Sequence, residues 1–502
     1  MSATSLRAGA RSFERAGGRS ANVAASPAFA GEALRIVRDP LRILLFVLTV
    51  FTVSRLHQHY PFLAKTRPAL LLVIAATGYA YLNPRYLTRA NVLEFWPMRL
   101  LVVLGVLACS SAVFGLSLGS TASFILSDYV KTLVYAFLLA VSIRNVRDLF
   151  TLVWAYVIGC GILAFFSLFI FGITRARGSD FARLSNLYTY DSNDLGVMMM
   201  MGLALTLLLL VVSRGAKRGL LLLNLVAIAA TVARSGSRGG FLGFVAVGIA
   251  ALILANGLSV SRRLSLVIAA PIALALGAPA GYWKQMGTVL QPKEDYNYSA
   301  VDGRKAVAQR GLGYMMEHPI FGVGMNNFAR AECTISPKLQ TLNRTGPIRC
   351  TPPHNSYIQA GAELGVPGLI AWVSLEMGII VALLGLRRRL PRAWRRGTDA
   401  ERFIYGATTY FPLAIIGFAV TSFFVSFAWM EPLYTMAAFT TGVYIALREH
   451  TRQNSGSRPL VTASFASAPR AGFGWRVARS ALRFRVARPL PPQTDPAPCA
   501  AR

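Results

Sequence analysis

Apolar runs close to the length of a bilayer crossing recur along nearly the whole chain, near residues 41–56, 68–83, 100–118, 122–143, 150–172, 195–213, 219–233, 241–258, 265–282, 358–386, 404–427 and 430–447. A helix crosses the hydrocarbon core with about 20 apolar residues. The pattern therefore predicts an all-α polytopic membrane protein with about twelve transmembrane helices. The longest polar interruption, residues 283–357, separates the ninth run from the tenth and predicts a large, partly helical extracytoplasmic loop. The expected organisation is a basic tail over 1–40, a membrane domain over 41–447 and a second basic tail over 448–502. The first 40 residues are polar and carry arginines, and no small-residue cleavage pattern follows the first run, so the amino terminus is expected to stay attached.

Composition agrees: 54% of residues are apolar, 15% are charged and the mean hydropathy is +0.49. Lysine and arginine then set orientation, because cytoplasmic connections carry their excess. The basic connections are the first tail, the loop with Arg85, Arg89 and Arg99, the turns with Arg144 and Arg147, with Arg214, Lys217 and Arg218 and with Arg262 and Arg263, the cluster from Arg387 to Arg396, and the second tail. Both termini are thus expected in the cytoplasm, leaving 173–194, 234–240, 283–357 and the turn near Glu431 outside. One loop dissents, since Arg55, Lys65 and Arg67 fall outside on this scheme. The formal charge of +31 suggests nucleic acid in a soluble chain. Here it sits mostly in cytoplasmic turns and tails, so anionic lipid is the expected partner and nucleic acid is not. Residues 472–490 read equally as an amphipathic helix on the inner leaflet and as a disordered tail.

Candidate chemistry lies where polar residues oppose this topology. The turn RSGSRGG, Arg234 to Gly240, places two arginines in a short outside connection. Its glycines permit close backbone approach, and Arg238 falls at the start of the next helix, where the dipole already favours an anion. Guanidinium with a helix amino terminus is a phosphate-binding arrangement, although both arginines also fit simple snorkelling to headgroups. In the large loop, DGRKAV reads as a helix start capped by Asp302, with Arg304 in the first turn, opposing the dipole unless an anion compensates. His354 stands where this loop meets the next apolar helix. It reads as a proton acceptor, a phosphate ligand or a structural cap. Asn355, Gln359 and Glu363 follow i, i+4 spacing and mark an inward-facing polar stripe. Ahead of the sixth run, Arg183 and Asn193 are candidates, while Asp191 and Asp194 read as caps. Cys333 and Cys350 share the external loop, where a disulfide is one of two open readings. No cysteine or histidine spacing suggests a metal cage or a cofactor.

Taken in order, SRGG at a span boundary, DGRKAV with HPIFGVGMNNF, and PHNSYIQAGAELGVPGLI resemble the O-antigen ligase and polysaccharide polymerase superfamily of membrane glycosyltransferases, over roughly residues 180–385. The resemblance implies a GT-C-like fold in the bacterial plasma membrane. It also implies an undecaprenyl-diphosphate-linked glycan donor and an inverting, metal-independent transfer on the outer face. By motif, Arg238, Arg304 and His354 are its implied catalytic residues, with Arg183, Arg234, Asn193, Asn355 and Glu363 as substrate-binding candidates. The acceptor is lipid A-core for a ligase, or a second lipid-linked unit for a polymerase of O-antigen, capsule or exopolysaccharide. The sequence departs from the superfamily pattern in its arginine-rich tails and in DSNDLG, residues 191–196, where a proline-containing form is expected. A transporter or flippase is the reading from another class; such folds carry internal repeats with broken helices in both halves, and no repeat is evident.

Overall fold

The computed structural model describes residues 34–175, 182–185, 190–254, 260–279, 281–291, 303–337 and 350–454. The tail segment 472–490 and Asp302 lie outside these residues. Within them the chain is helical apart from one two-stranded ribbon: β1 (Ile173–Arg175) pairs antiparallel with β2 (Ala182–Leu184), with Thr174 opposite Arg183.

The helices are α1 (Pro40–Ser54), α2 (Leu56–His59), α3 (Pro61–Thr66), α4 (Pro68–Leu82), α5 (Trp96–Phe114), α6 (Leu118–Phe124), α7 (Val130–Ser142), α8 (Val146–Phe169) and α9 (Asp194–Val212). There follow α10 (Gly215–Ser235), α11 (Arg238–Leu254), α12 (Val260–Gly277), α13 (Tyr282–Gly287), α14 (Arg304–Glu317), α15 (Phe328–Thr334), α16 (Ser356–Arg389), α17 (Asp399–Ser422) and α18 (Glu431–Asn454). Each apolar run of the sequence overlaps a helix among the described residues. Among the described residues seven segments are long and apolar enough to cross a membrane: α5, α6 with α7, α8, α9, α10, α16 and α17. Helices α1, α4 and α11 are apolar but shorter.

Helix starts follow local chemistry. Asp39 accepts from the Arg42 N–H ahead of Pro40, Asn145 accepts from two N–H groups of α8, and Thr398 with Glu401 forms a capping box on α17. For α14 the N-cap position is Gly303, without a side-chain cap, rather than Asp302. Helix α9 is buried almost all round, as Met198 to Met201 show; it packs on α17, which also receives α11 and α16. Leu71, Ile74, Val106 and Leu223 point outward on α4, α5 and α10, as lipid-facing residues do.

Helix α16 is broken. Gly365 has φ 71° and ψ −173°, and Pro367 follows. A regular helix would send the Val366 N–H to the Ala362 carbonyl, and Pro367 has no N–H for Glu363. Instead Val366 donates to the Pro319 carbonyl at 2.8 Å, the Ala362 carbonyl accepts from Val323 at 2.8 Å, and the Glu363 carbonyl accepts from Gly324 at 3.1 Å. The loop 319–324 thus occupies the break. Its approach needs glycine: a Cβ on Gly322 would stand 2.4 Å from the Glu363 carbonyl carbon.

Of the three basic residues in the dissenting loop, Arg55 is neutralised within the fold. Its guanidinium pairs with Glu431 at 2.9 Å, with 16% and 19% of the two side chains exposed, and it lies 5.3 Å from the Tyr190 ring centroid. A cation neutralised across the fold does not act as a free orienting charge. Arg55→Ala or Glu431→Ala alone should lower stability by roughly 1–3 kcal/mol by leaving a largely buried charge without its partner. In thermal unfolding in detergent, the double variant should lose less than the sum of the singles. Additive losses would show that the pair is not coupled.

Candidate active site

The connection between α10 and α11 is built for close approach. Gly236 takes the left-handed conformation that ends α10 (φ 61°), and the Ser237 Oγ accepts from the Gly240 N–H at 3.1 Å to start α11. The same hydroxyl donates to Asn193 Oδ1 at 2.9 Å, which also accepts from Arg183 Nη2 at 3.1 Å. Asn193 therefore ties β2 to the SRGG turn. Asp191 accepts the N–H groups of Asn193 at 2.6 Å and Asp194 at 2.8 Å, as expected of a cap.

From that turn, Arg238 Nη1 donates to Thr288 Oγ1 at 2.9 Å, while Gln285 Nε2 donates to the Gly236 carbonyl at 2.9 Å and fixes α13 against it. Arg234 turns elsewhere, making a long 3.5 Å contact with the Phe171 carbonyl. Its Nε is buried without a hydrogen-bond partner among the described residues. Arg304 is the first residue of α14, as the sequence indicates, and its guanidinium carbon lies 5.7 Å from the Phe424 ring centroid. Phe424 also touches the SRGG turn, since a Cβ on Gly239 would stand 2.7 Å from the Phe424 Cβ.

His354 has φ 46°, a left-handed strain of order 1–3 kcal/mol for such a residue. Its surroundings hold it there. Its N–H donates to Ser426 Oγ at 2.9 Å, and the next residue, Asn355, caps α16 by accepting from Tyr357 and Ile358, each at 3.0 Å. Burial pushes the imidazole below its ordinary value; Asp191 opposes the shift and the guanidiniums of Arg304 and Arg183 add to it. At neutral pH the ring is uncharged, able to accept a proton.

The polar stripe faces inward, but toward protein. Gln359 Oε1 accepts from the Ala428 N–H at 3.1 Å. Glu363 is 2% exposed; its Oε2 accepts from Trp429 Nε1 at 2.5 Å and the Asn326 N–H at 2.8 Å, and its Oε1 from the Phe328 N–H at 3.3 Å. Ser356 Oγ donates to the Val425 carbonyl and accepts from the Phe427 N–H, both at 2.9 Å. Asn355 and Glu363 thus spend their oxygens on framework, while the segment 423–430 meets Arg304 and the Arg238 turn through Phe424 and His354 through Ser426, and Arg183 and Asn193 reach the same turn through Ser237. That segment, FFVSFAWM, is what sequence reasoning missed; its only signal is a hydroxyl among aromatics at the junction of the last two apolar runs. A disulfide joins Cys333 to Cys350, with Cα atoms 5.3 Å apart, and ties α15 to the segment leading to His354. No group of three or more His, Cys, Asp or Glu side chains able to hold a metal ion occurs among the described residues.

The molecule is thus a helical membrane protein with a cationic, imidazole-bearing site at one end of its bundle. Residues 223–373 match the family model described as O-antigen ligase, which supports membership of the O-antigen ligase superfamily, whose members are glycosyltransferase-like enzymes. The matched segment contains Arg234, Arg238, Arg304, His354, Asn355 and Glu363; Arg183 and Asn193 precede it. No curated protein matches the chain. A multi-pass protein of the bacterial inner membrane fits both the family and the apolar helices.

Gly239→Ala should displace Phe424 and with it the Arg304 contact, lowering the activity of the folded protein about tenfold or more. Gly248→Ala, whose new methyl meets nothing within 4 Å, should leave it unchanged. Equal activity of the two variants would separate Phe424 from the site.

Proposed function

We propose that the protein transfers a glycan from an undecaprenyl-diphosphate carrier to an acceptor hydroxyl at the outer face of the plasma membrane, as an O-antigen ligase acting on lipid A-core. The observation that carries this reading is the gathering of Arg183, Arg304 and the Arg238 turn around a half-buried His354 whose proton affinity is lowered. Guanidinium groups suit a diphosphate leaving group, on which charge develops as the bond to the sugar breaks. Arg238 and Arg304 hold the diphosphate and Arg183 assists. His354 accepts the acceptor's hydroxyl proton as that oxygen bonds to the anomeric carbon from the face opposite the departing phosphate, giving inversion without a metal ion. The Cys333–Cys350 disulfide supports placing the loop outside, in an oxidising compartment. Both termini are then cytoplasmic.

The test is transfer in liposomes from a purified lipid-diphosphate glycan to lipid A-core or to a second lipid-linked unit. A single glycan on lipid A-core is expected, whereas a ladder on the carrier makes the protein a polymerase. His354→Ala should lose about 100-fold or more, Arg238→Ala and Arg304→Ala about 100-fold. Wild-type rates in all three variants exclude the assignment.

The pH profile carries a second expectation. A base with a lowered pKa is lost only when pH falls below the ordinary imidazole value of about 6.5, so the acidic limb of kcat/KM, which reports free enzyme, should lie below that value. In kcat the limb should move up, because a bound diphosphate offsets Arg304 and Arg183. Coincident limbs, or limbs that persist in His354→Ala, contradict the base role.

A further inference from the structure

The exposed face of α14 changes character along its length. Lys305, Gln309, Leu312 and Met316 recur at helical spacing on the side opposite the buried Val307, Gly311 and Tyr314. At the amino end this face is polar. At the carboxyl end it is apolar, with Leu312 46% and Met316 74% exposed, and Ile320, just beyond the helix, 60% exposed. A solvated loop has no reason to collect large apolar side chains at one end.

Their location supplies the reason. The Pro319 carbonyl accepts from the Val366 N–H at 2.8 Å, and the Phe321 ring stacks on Phe114, the last residue of α5, at 4.4 Å between centroids. Phe114, Val366 and Ile370 are themselves exposed on apolar helices. Beyond the break at Gly365, residues 367–389 make a helix of roughly 34 Å at ~1.5 Å per residue, enough for one bilayer crossing. The break therefore lies at the membrane boundary, and the tip 319–321 lies beside it. The apolar end of α14 is continuous with the lipid-facing surface of the bundle.

We propose that Leu312, Met316 and Ile320 seat the external loop in the outer-leaflet interface of the phospholipid bilayer, so that α14 runs from water at Lys305 into the headgroup region at its carboxyl end. Such an arrangement follows the physics of interfacial helices, in which the apolar side enters the boundary of headgroup and acyl chain. The occupant is lipid rather than protein, because the face adjoins surface that a membrane helix gives to lipid, and Glu317 at its edge has the reach to keep its charge in water.

The test places a nitroxide on single cysteines at 305, 316 and 320 in a Cys109→Ala, Cys160→Ala, Cys499→Ala background that keeps the disulfide, reconstituted in phosphatidylethanolamine and phosphatidylglycerol vesicles. Oxygen partitions into lipid and a polar nickel chelate into water. At Met316→Cys and Ile320→Cys oxygen should dominate the relaxation, and at Lys305→Cys the order should invert. Chelate-dominated relaxation at 316 and 320 overturns the proposal, as does inaccessibility to both reagents, which would mean that protein covers the face. The measurement reads no catalysis and stands whether or not the transfer reaction does.

Discussion

The break in α16 is the constraint on which the site depends. A helix at a membrane boundary cannot leave backbone groups unpaired at low energetic cost, because each unsatisfied group in an apolar surround costs several kcal/mol. Gly365 and Pro367 release the Ala362 and Glu363 carbonyls and the Val366 N–H, and the loop 319–324 supplies a donor or acceptor for each. The loop is therefore docked by the helix's own missing bonds. The Glu363 side chain extends the same junction by receiving Asn326 and Phe328 on one side and Trp429 on the other. One residue thus joins the loop after α14, α16 and the connection between α17 and α18.

That connection then does the assembling. Phe424 meets both Arg304 and the SRGG turn, Ser426 holds the His354 backbone, and Phe427 stays close to Tyr190, whose ring lies under Arg55. The left-handed His354 persists because it is fixed on both sides, by the Asn355 cap and by the disulfide four residues earlier at Cys350. Strain held this way orients an imidazole without depending on the flexibility of the loop that carries it.

How much of this was legible depends on the range of the signal. The apolar runs were, since a crossing helix is a composition over about 20 residues. Arg238 stood out as a candidate because it broke the charge rule, and Arg304 because it opposed a helix dipole. The polar stripe Asn355, Gln359, Glu363 correctly marked an inward face, but spacing along one helix says nothing of what lies opposite, and the partners proved to be backbone and indole N–H groups. Arg55 looked like a free dissenting charge for the same reason: the Glu431 that neutralises it lies 376 positions away. Phe424 had no signal, because an aromatic within an apolar run looks like lipid-facing surface until the fold places a guanidinium over it. The ribbon at 173–184 passed for loop, each strand being only three residues long.

In the proposed transfer, the charge around His354 would also bear on when it acts. In the free site, burial and the fields of Arg304 and Arg183 hold the imidazole neutral, and Asp191 only partly offsets them. Neutrality makes it available as a base, but a lowered pKa makes it a weak one. In that proposal, an anionic substrate held by those arginines would cancel the part of the shift they cause, and the proton affinity of His354 would rise. The ring would become a stronger base in the complex, where an acceptor hydroxyl is in place. In the proposed transfer, the groups that bind the diphosphate would also set the timing of proton acceptance, and a site without cationic neighbours would have no such coupling.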